Sequence, residues 1–122
     1  MVVDELDTLL SNHADCRTIA FADLSTQMIL VTDTASTLPR EALDRLCKQA
    51  AATLGLSGQA VLGEKPGQTA VLADKSAVHV FLRAADEPDD VLCCVCTTDV
   101  DLNGFVADAT ACVNRISSGQ SE

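Results

Sequence analysis

The stretch DVLCCVCTT, residues 90–98, holds three of the chain's six cysteines, Cys93, Cys94 and Cys96. Thiols crowded in this way can ligate a soft metal, exchange disulfides or act as nucleophiles. Their spacing argues against a metal. In an extended strand neighbouring side chains point to opposite faces, so Cys93 and Cys94 cannot ligate one ion unless the strand breaks between them. Cys94 and Cys96 share a face, and Cys47 or Cys112 from a covering helix could join them. A structural zinc site, however, is built on Cys-x-x-Cys pairs in short loops, which the chain does not offer. Free cysteine is among the most buried residue types and packs as a small hydrophobe, so the run reads as a central strand between helices. Cys16, at a strand start, is the thiol expected to be exposed.

The other chemistry-bearing residues are dispersed. His13 closes a helix, where a cation near the carbonyl end is ordinary, and His79 lies in a strand on the same face as Phe81. Neither HExxH nor GxSxG occurs. Gly58 and Gly63 have phosphate-loop spacing, but Glu64-Lys65 follows where lysine and then a hydroxyl residue are required, so no nucleotide site is expected there. The carboxylates Asp23, Asp33, Asp86, Glu87, Asp89 and Asp90 fall in turns without EF-hand spacing and read as solvated charges. Arg83 closes a strand, while Arg40, Arg45 and Lys48 decorate a helix; all four read as surface charges. The expectation is a protein that is not an enzyme, with no catalytic residue, no metal ligand and no cofactor.

Composition narrows the partners. The chain has 122 residues, 48% of them hydrophobic, and a mean hydropathy of +0.21, enough for one core and too little for two. Eight basic residues face 18 acidic ones, a net charge of −10. Such a surface repels nucleic-acid backbones and anionic lipid, so neither nucleic acid nor membrane is an expected partner. No apolar run approaches the roughly 20 residues of a spanning helix, and the N-terminus MVVDELDTLL is acidic where a secretory signal is basic. A cytosolic location and reduced thiols are the expectation. Phe21, Phe81 and Phe105 are the whole aromatic complement, too few for a stacking platform.

Helical and strand periodicities alternate along the chain. A first amphipathic helix spans Val2 to His13. Two β-prone runs, Cys16 to Ala22 and Met28 to Thr34, flank a polar turn and form a hairpin. Ser36 or Thr37 can cap a second helix, Pro39 to Leu54, which Gly55 ends. The glycine-rich stretch GLSGQAVLGEKPGQ reads as a long connection with a brief extended piece at Gln59 to Leu62. QTAVLAD and AVHVFLRA form a second hairpin about Lys75-Ser76, EPDD turns into VLCCVCTT, and Asp99 or Asp101 caps a last helix carrying an apolar stripe from Leu102 to Ile116. Short links imply antiparallel pairing, and strands apolar on both faces require helices on both sides of the sheet. The predicted fold is α+β, a three-layer α/β/α sandwich around a five-stranded antiparallel sheet, as a single domain over 1–116 with a disordered tail at 117–122.

Three stretches, TIAFADLSTQMILVTDT, LPREALDRLCKQAAATL and AVHVFLRAADEPDDVLCCVCTTDVDLNGFVADATACV, resemble the first hairpin, central helix and closing strand-strand-helix of the roadblock family, named for dynein light chains and rich in bacterial members. Its relatives serve as platforms or regulators for Ras-like small GTPases or tether dynein and signalling complexes. The resemblance implies a homodimer whose third strands pair into one sheet, with the central helices side by side across it. The residues support the same pairing: Thr69 to Ala73 is uncharged, lacks proline and would be an exposed edge strand in a monomer. The expected dimer interface is Thr69, Ala70, Val71, Leu72 and Ala73 with Cys47, Ala50, Ala51 and Leu54 from the second helix, and Arg40 and Arg83 are expected partner contacts. The competing expectation is a ligand-sensing profilin-like or PAS-like domain, since those folds also surround a five-stranded antiparallel sheet with helices.

Overall fold

In the computed structural model, which describes residues 2–54, 69–87 and 89–118, the chain runs α1 (Val2–Asn12), β1 (Cys16–Asp23), β2 (Met28–Thr32), α2 (Arg40–Leu54), β3 (Thr69–Ala73), β4 (Val78–Arg83), β5 (Asp90–Cys96) and α3 (Leu102–Ser118). The strands form one antiparallel sheet in the order β2-β1-β5-β4-β3. Element types and order match the sequence expectation. α3 continues through Ser118, two residues into the expected tail. The connection containing Gln59 to Leu62 lies outside the described residues.

Alternation along the strands sends side chains into two separate cores. On one face Ile19, Phe21, Val80, Leu82, Leu92, Cys94 and Cys96 meet Leu6 and Leu9 of α1 and Phe105, Ala109, Cys112 and Val113 of α3. On the other, Ala20, Ala22, Phe81, Val91 and Cys93 meet Leu43, Leu46, Cys47, Ala50 and Leu54 of α2. Helices therefore cover the sheet on both sides, as a strand set apolar on both faces requires.

Polar side chains fix where the elements end. β2 stops at Thr32, yet the ladder to β1 is completed by Asp33: its N–H donates to the Ile19 carbonyl at 3.0 Å, and its Oδ1 accepts the Ile19 N–H at 3.0 Å. The carboxylate stands in for the carbonyl that another strand residue would supply, which frees the chain to turn toward α2. Asp33 is only 2% exposed, so the expectation of a solvated turn charge is corrected here; the ladder contact draws it inward. Next to it, Thr34 donates from N–H (2.8 Å) and Oγ1 (2.6 Å) to Asp7, tying α1 to the β2–α2 turn. In the β3–β4 turn, Asp74 Oδ1 accepts the N–H groups of Ser76 and Ala77 and the Ser76 hydroxyl. Bonds of this kind stabilise the charged form of a carboxylate.

Asp33→Ala leaves the buried Ile19 N–H without an acceptor and is expected to cost about 1–3 kcal/mol, with Asp33→Asn costing less because an amide oxygen can still accept. Urea unfolding of the two variants checks this, and equal losses would contradict the assigned role. The Thr34 hydroxyl and N–H hold Asp7 below the usual carboxylate range. A folded-state pKa below the unfolded one adds stability above the unfolded value, and that stability is lost as pH falls through the folded pKa. Asp7→Asn should therefore flatten the acid limb of a stability-against-pH curve while changing its neutral plateau less than Asp7→Ala does.

Candidate functional site

β3 is an edge strand. Its five residues pair with β4 in an unbroken register, Thr69 opposite Leu82 through Ala73 opposite Val78. The strand carries no charge, proline or bulge, and among the described residues nothing pairs with its outer edge. Its side chains other than the half-buried Ala70 are also exposed. Val71, on the face that α3 covers over β4 and β5, is 42% exposed, and Leu72, on the α2 face, is 39% exposed. The opposite edge, β2, is shaped differently. Ala22 pairs with Ile29 and Phe21 with Val31, so Leu30 is an extra residue that bulges the strand. Met28 and Leu30 are exposed there too, but a bulge bends and twists a strand out of the flat geometry that edge-to-edge pairing needs. Of the two edges, β3 is the one fit to accept another strand.

Thr69, Ala70, Val71, Leu72 and Ala73 thus sit together on an accessible edge, and Ala51 is half-buried on α2. Cys47, Ala50 and Leu54 do not join them. They are 1%, 0% and 3% exposed and packed against the chain's own sheet, which corrects their expected place in an interface. The spacing that makes α2 legible as an amphipathic helix is the spacing that turns these three inward. What α2 offers outward is a flank. Ala42, Arg45, Leu46 and Gln49 line an open groove of about 290 Å³ with Leu38, Val95 and His79. His79 Nδ1 and Gln49 Oε1 lie 2.9 Å apart across it, and the His79 and Phe81 rings meet edge to face at 6.4 Å. Sequence reasoning missed this groove, because Leu38, Gln49 and Val95 come from three separate segments; the only signal was His79 sharing a face with Phe81.

No family model matches the chain, and no curated protein matches it. Solved structures do. A Roadblock/LC7 domain from Streptomyces avermitilis superposes with a TM-score of 0.76 at 11% identity, covering 97% of this chain and 96% of that one. The gliding protein MglB from Thermus thermophilus gives 0.71 at 20% identity, with 97% and 89% covered. The fold is that of a roadblock/LC7 domain. LokiProfilin1, in its complex with rabbit actin, gives a lower 0.63 at 10% identity, with 96% and 94% covered.

Within this roadblock/LC7 fold the two candidate arginines part company. Arg40 is exposed at the start of α2 and ion-pairs with Asp44 at 3.3 Å. Arg83 is 2% exposed, which corrects its reading as a surface charge. It follows Leu82 under the helices, and burial pulls its pKa down while nearby Asp89 pushes it up. The thiols are also inside. Cys93 and Cys94 face opposite cores as strand alternation demands. Cys16, expected at the surface, is 6% exposed, because β1 begins beneath α1 and α3. Burial raises Cys93 and Cys94 well above an ordinary thiol and Cys112 to about 11. Among the described residues no three His, Cys, Asp or Glu side chains are gathered to hold a metal. His13 is spent on Asp108, at 2.8 Å, and on the edge of Phe105. Among the same residues no helix is long and apolar enough to cross a membrane.

The arginines are separable by substitution. Arg83→Ala removes a buried stem and its charge contacts, so it should cost about 1–3 kcal/mol in unfolding free energy. Arg40→Ala should stay within about 0.5 kcal/mol of the parent. The reverse order in a denaturant titration would put the buried charge in the wrong place.

Proposed function

We propose that the chain is a non-enzymatic homodimeric interaction module that serves as a platform or regulator for a Ras-like small GTPase. The observation that carries the dimer is β3, an uncharged, unbulged edge that exposes Val71 on one face and Leu72 on the other. An isolated edge of this kind is an aggregation liability, and pairing with β3 of a second copy removes it by extending the five-stranded sheet into ten strands. The bulged β2 edge leaves no equivalent alternative.

The partner class rests on the resemblance to the roadblock family together with the roadblock/LC7 fold. Charge is consistent with a protein partner. The molecule as a whole is strongly acidic, while α2 exposes Arg40, Arg45 and Lys48, with Arg45 lining the groove, so a protein surface meets mixed charge there and an anionic polymer meets net repulsion. The groove is open, and its volume of about 290 Å³ lies at the small end of the roughly 300–1,000 Å³ of small-molecule sites. It suits a partner's side chain better than a buried ligand. No residue is assigned a role in GTP hydrolysis.

Val71→Lys with Leu72→Lys places charge on the exposed edge without touching either core. It should weaken self-association at least about tenfold, or 1.4 kcal/mol, in sedimentation equilibrium, with unchanged far-UV circular dichroism. Affinity capture on the parent dimer, once with a GTP analogue and once with GDP, should enrich one small GTPase in one nucleotide state. Capture of none would remove the GTPase and leave the dimer standing; a monomeric parent would remove the dimer.

A further inference from the structure

Cys16 and Cys96 are directly opposed on the antiparallel strands β1 and β5. The kind of opposition follows from the hydrogen bonds around them. Thr97 N–H donates to the Asp15 carbonyl at 2.7 Å, while Cys16 N–H turns away to the His13 carbonyl at 2.9 Å. Cys16 and Cys96 are therefore a non-hydrogen-bonded pair, the class in which facing Cα atoms come to about 4.5 Å and side chains lie closest. Both thiols lie in the core beneath α1 and α3, where the Cys16 thiol donates to the Thr18 and Val95 carbonyls at 3.8 and 3.6 Å. Disulfides form across Cα separations of about 4.4–6.8 Å, a range whose short end is where a non-hydrogen-bonded pair falls in a regular ladder; here the register shifts directly beside the pair, between Cys16 and Thr18. The other β5 thiols are placed differently. Cys93 faces Ala20 and Phe81, and Cys94 faces Ile19 and Val80, so neither has a cysteine across a strand.

We infer that Cys16 and Cys96 form a dithiol modification site that a small-molecule disulfide closes into a reversible cross-strand bond. Cys16 is the entry point, since it is the first residue of β1 and 6% exposed against 0% for Cys96. Local opening of the short turn that follows α1 would uncover it. The Cys16 sulfur, its proton released to solvent, attacks one sulfur of the small disulfide and expels the other as a thiolate, leaving a mixed disulfide. The Cys96 sulfur, also deprotonated, attacks the Cys16 sulfur and expels the second small thiolate. Two protein thiols lose two electrons and the small disulfide gains them, forming two small thiols once both leaving groups take up protons. A cross-strand bond closed at the short end of that range would carry strain, and strained disulfides are the readily reduced, regulatory ones. Once closed, it pins the start of β1 to the end of β5 and restricts opening of the strand that seats α1 and α3.

The test uses the full chain with oxidised glutathione as the probe. After incubation, remaining thiols are alkylated under denaturing conditions and the protein is analysed by intact mass and peptide mapping. The expected product has lost two hydrogen atoms, carries a Cys16–Cys96 link and keeps its other thiols alkylatable; its urea midpoint lies above that of the reduced form and returns with dithiothreitol. Cys93→Ser should keep the link and Cys16→Ser should lose it. A glutathione adduct on Cys16 that never resolves, a link between any other pair, or six alkylatable thiols after prolonged exposure in the parent chain each overturns the inference without depending on how any variant folds.

Discussion

β5 occupies the middle of the sheet, hydrogen-bonded along both edges to β1 and β4 and covered on both faces by helices. Everything else is arranged around that double burial. A strand so placed cannot expose a polar side chain on either face without stranding it away from water, and both helix layers need side chains that let them approach closely. Val91, Leu92, Cys93 and Cys94 meet both demands, and none of the four is exposed. At Cys93 and Cys94 cysteine is used as a small apolar residue, and its chemistry is suppressed by the same burial, which disfavours the thiolate.

The two layers differ in how far they reach. α1 and α3 pack together across β1, β4 and β5, whereas α2 crosses the other face and leaves an open groove beside it. Neither layer extends fully over β3. An edge strand that stays unbulged and uncharged while the other edge is bulged makes the molecule asymmetric in what it can bind: one side is shaped to be finished by another strand, the other is not. The interaction reading comes from this asymmetry more than from any single residue.

Much of this was legible in the chain. Apolar residues every three or four positions marked all three helices, short polar links marked the hairpins, and runs apolar on both faces implied the covering layers. The open edge was legible as an uncharged TAVLA segment with no proline. What failed was the assignment of outward and inward for individual residues. Cys47, Ala50 and Leu54 looked like interface because they are small or apolar, yet the helical stripe needs them for its own sheet. Arg83, Asp33 and Cys16 looked exposed because they stand at strand ends, but strand ends here lie under helices or continue the ladder through a side chain.

The sequence by itself determined the element order, the three layers and the expectation of an edge that seeks a partner, since periodicity and composition are local properties that a helix or strand must satisfy wherever it lies. Only the tertiary structure decided the strand order, and with it which residues face each other across strands. Register depends on pairings between segments as far apart as Cys16 and Cys96, and nothing local encodes it. The groove by α2, the burial of Arg83 and the opposition of two thiols all follow from that non-local choice, because a strand's neighbours set what each side chain meets.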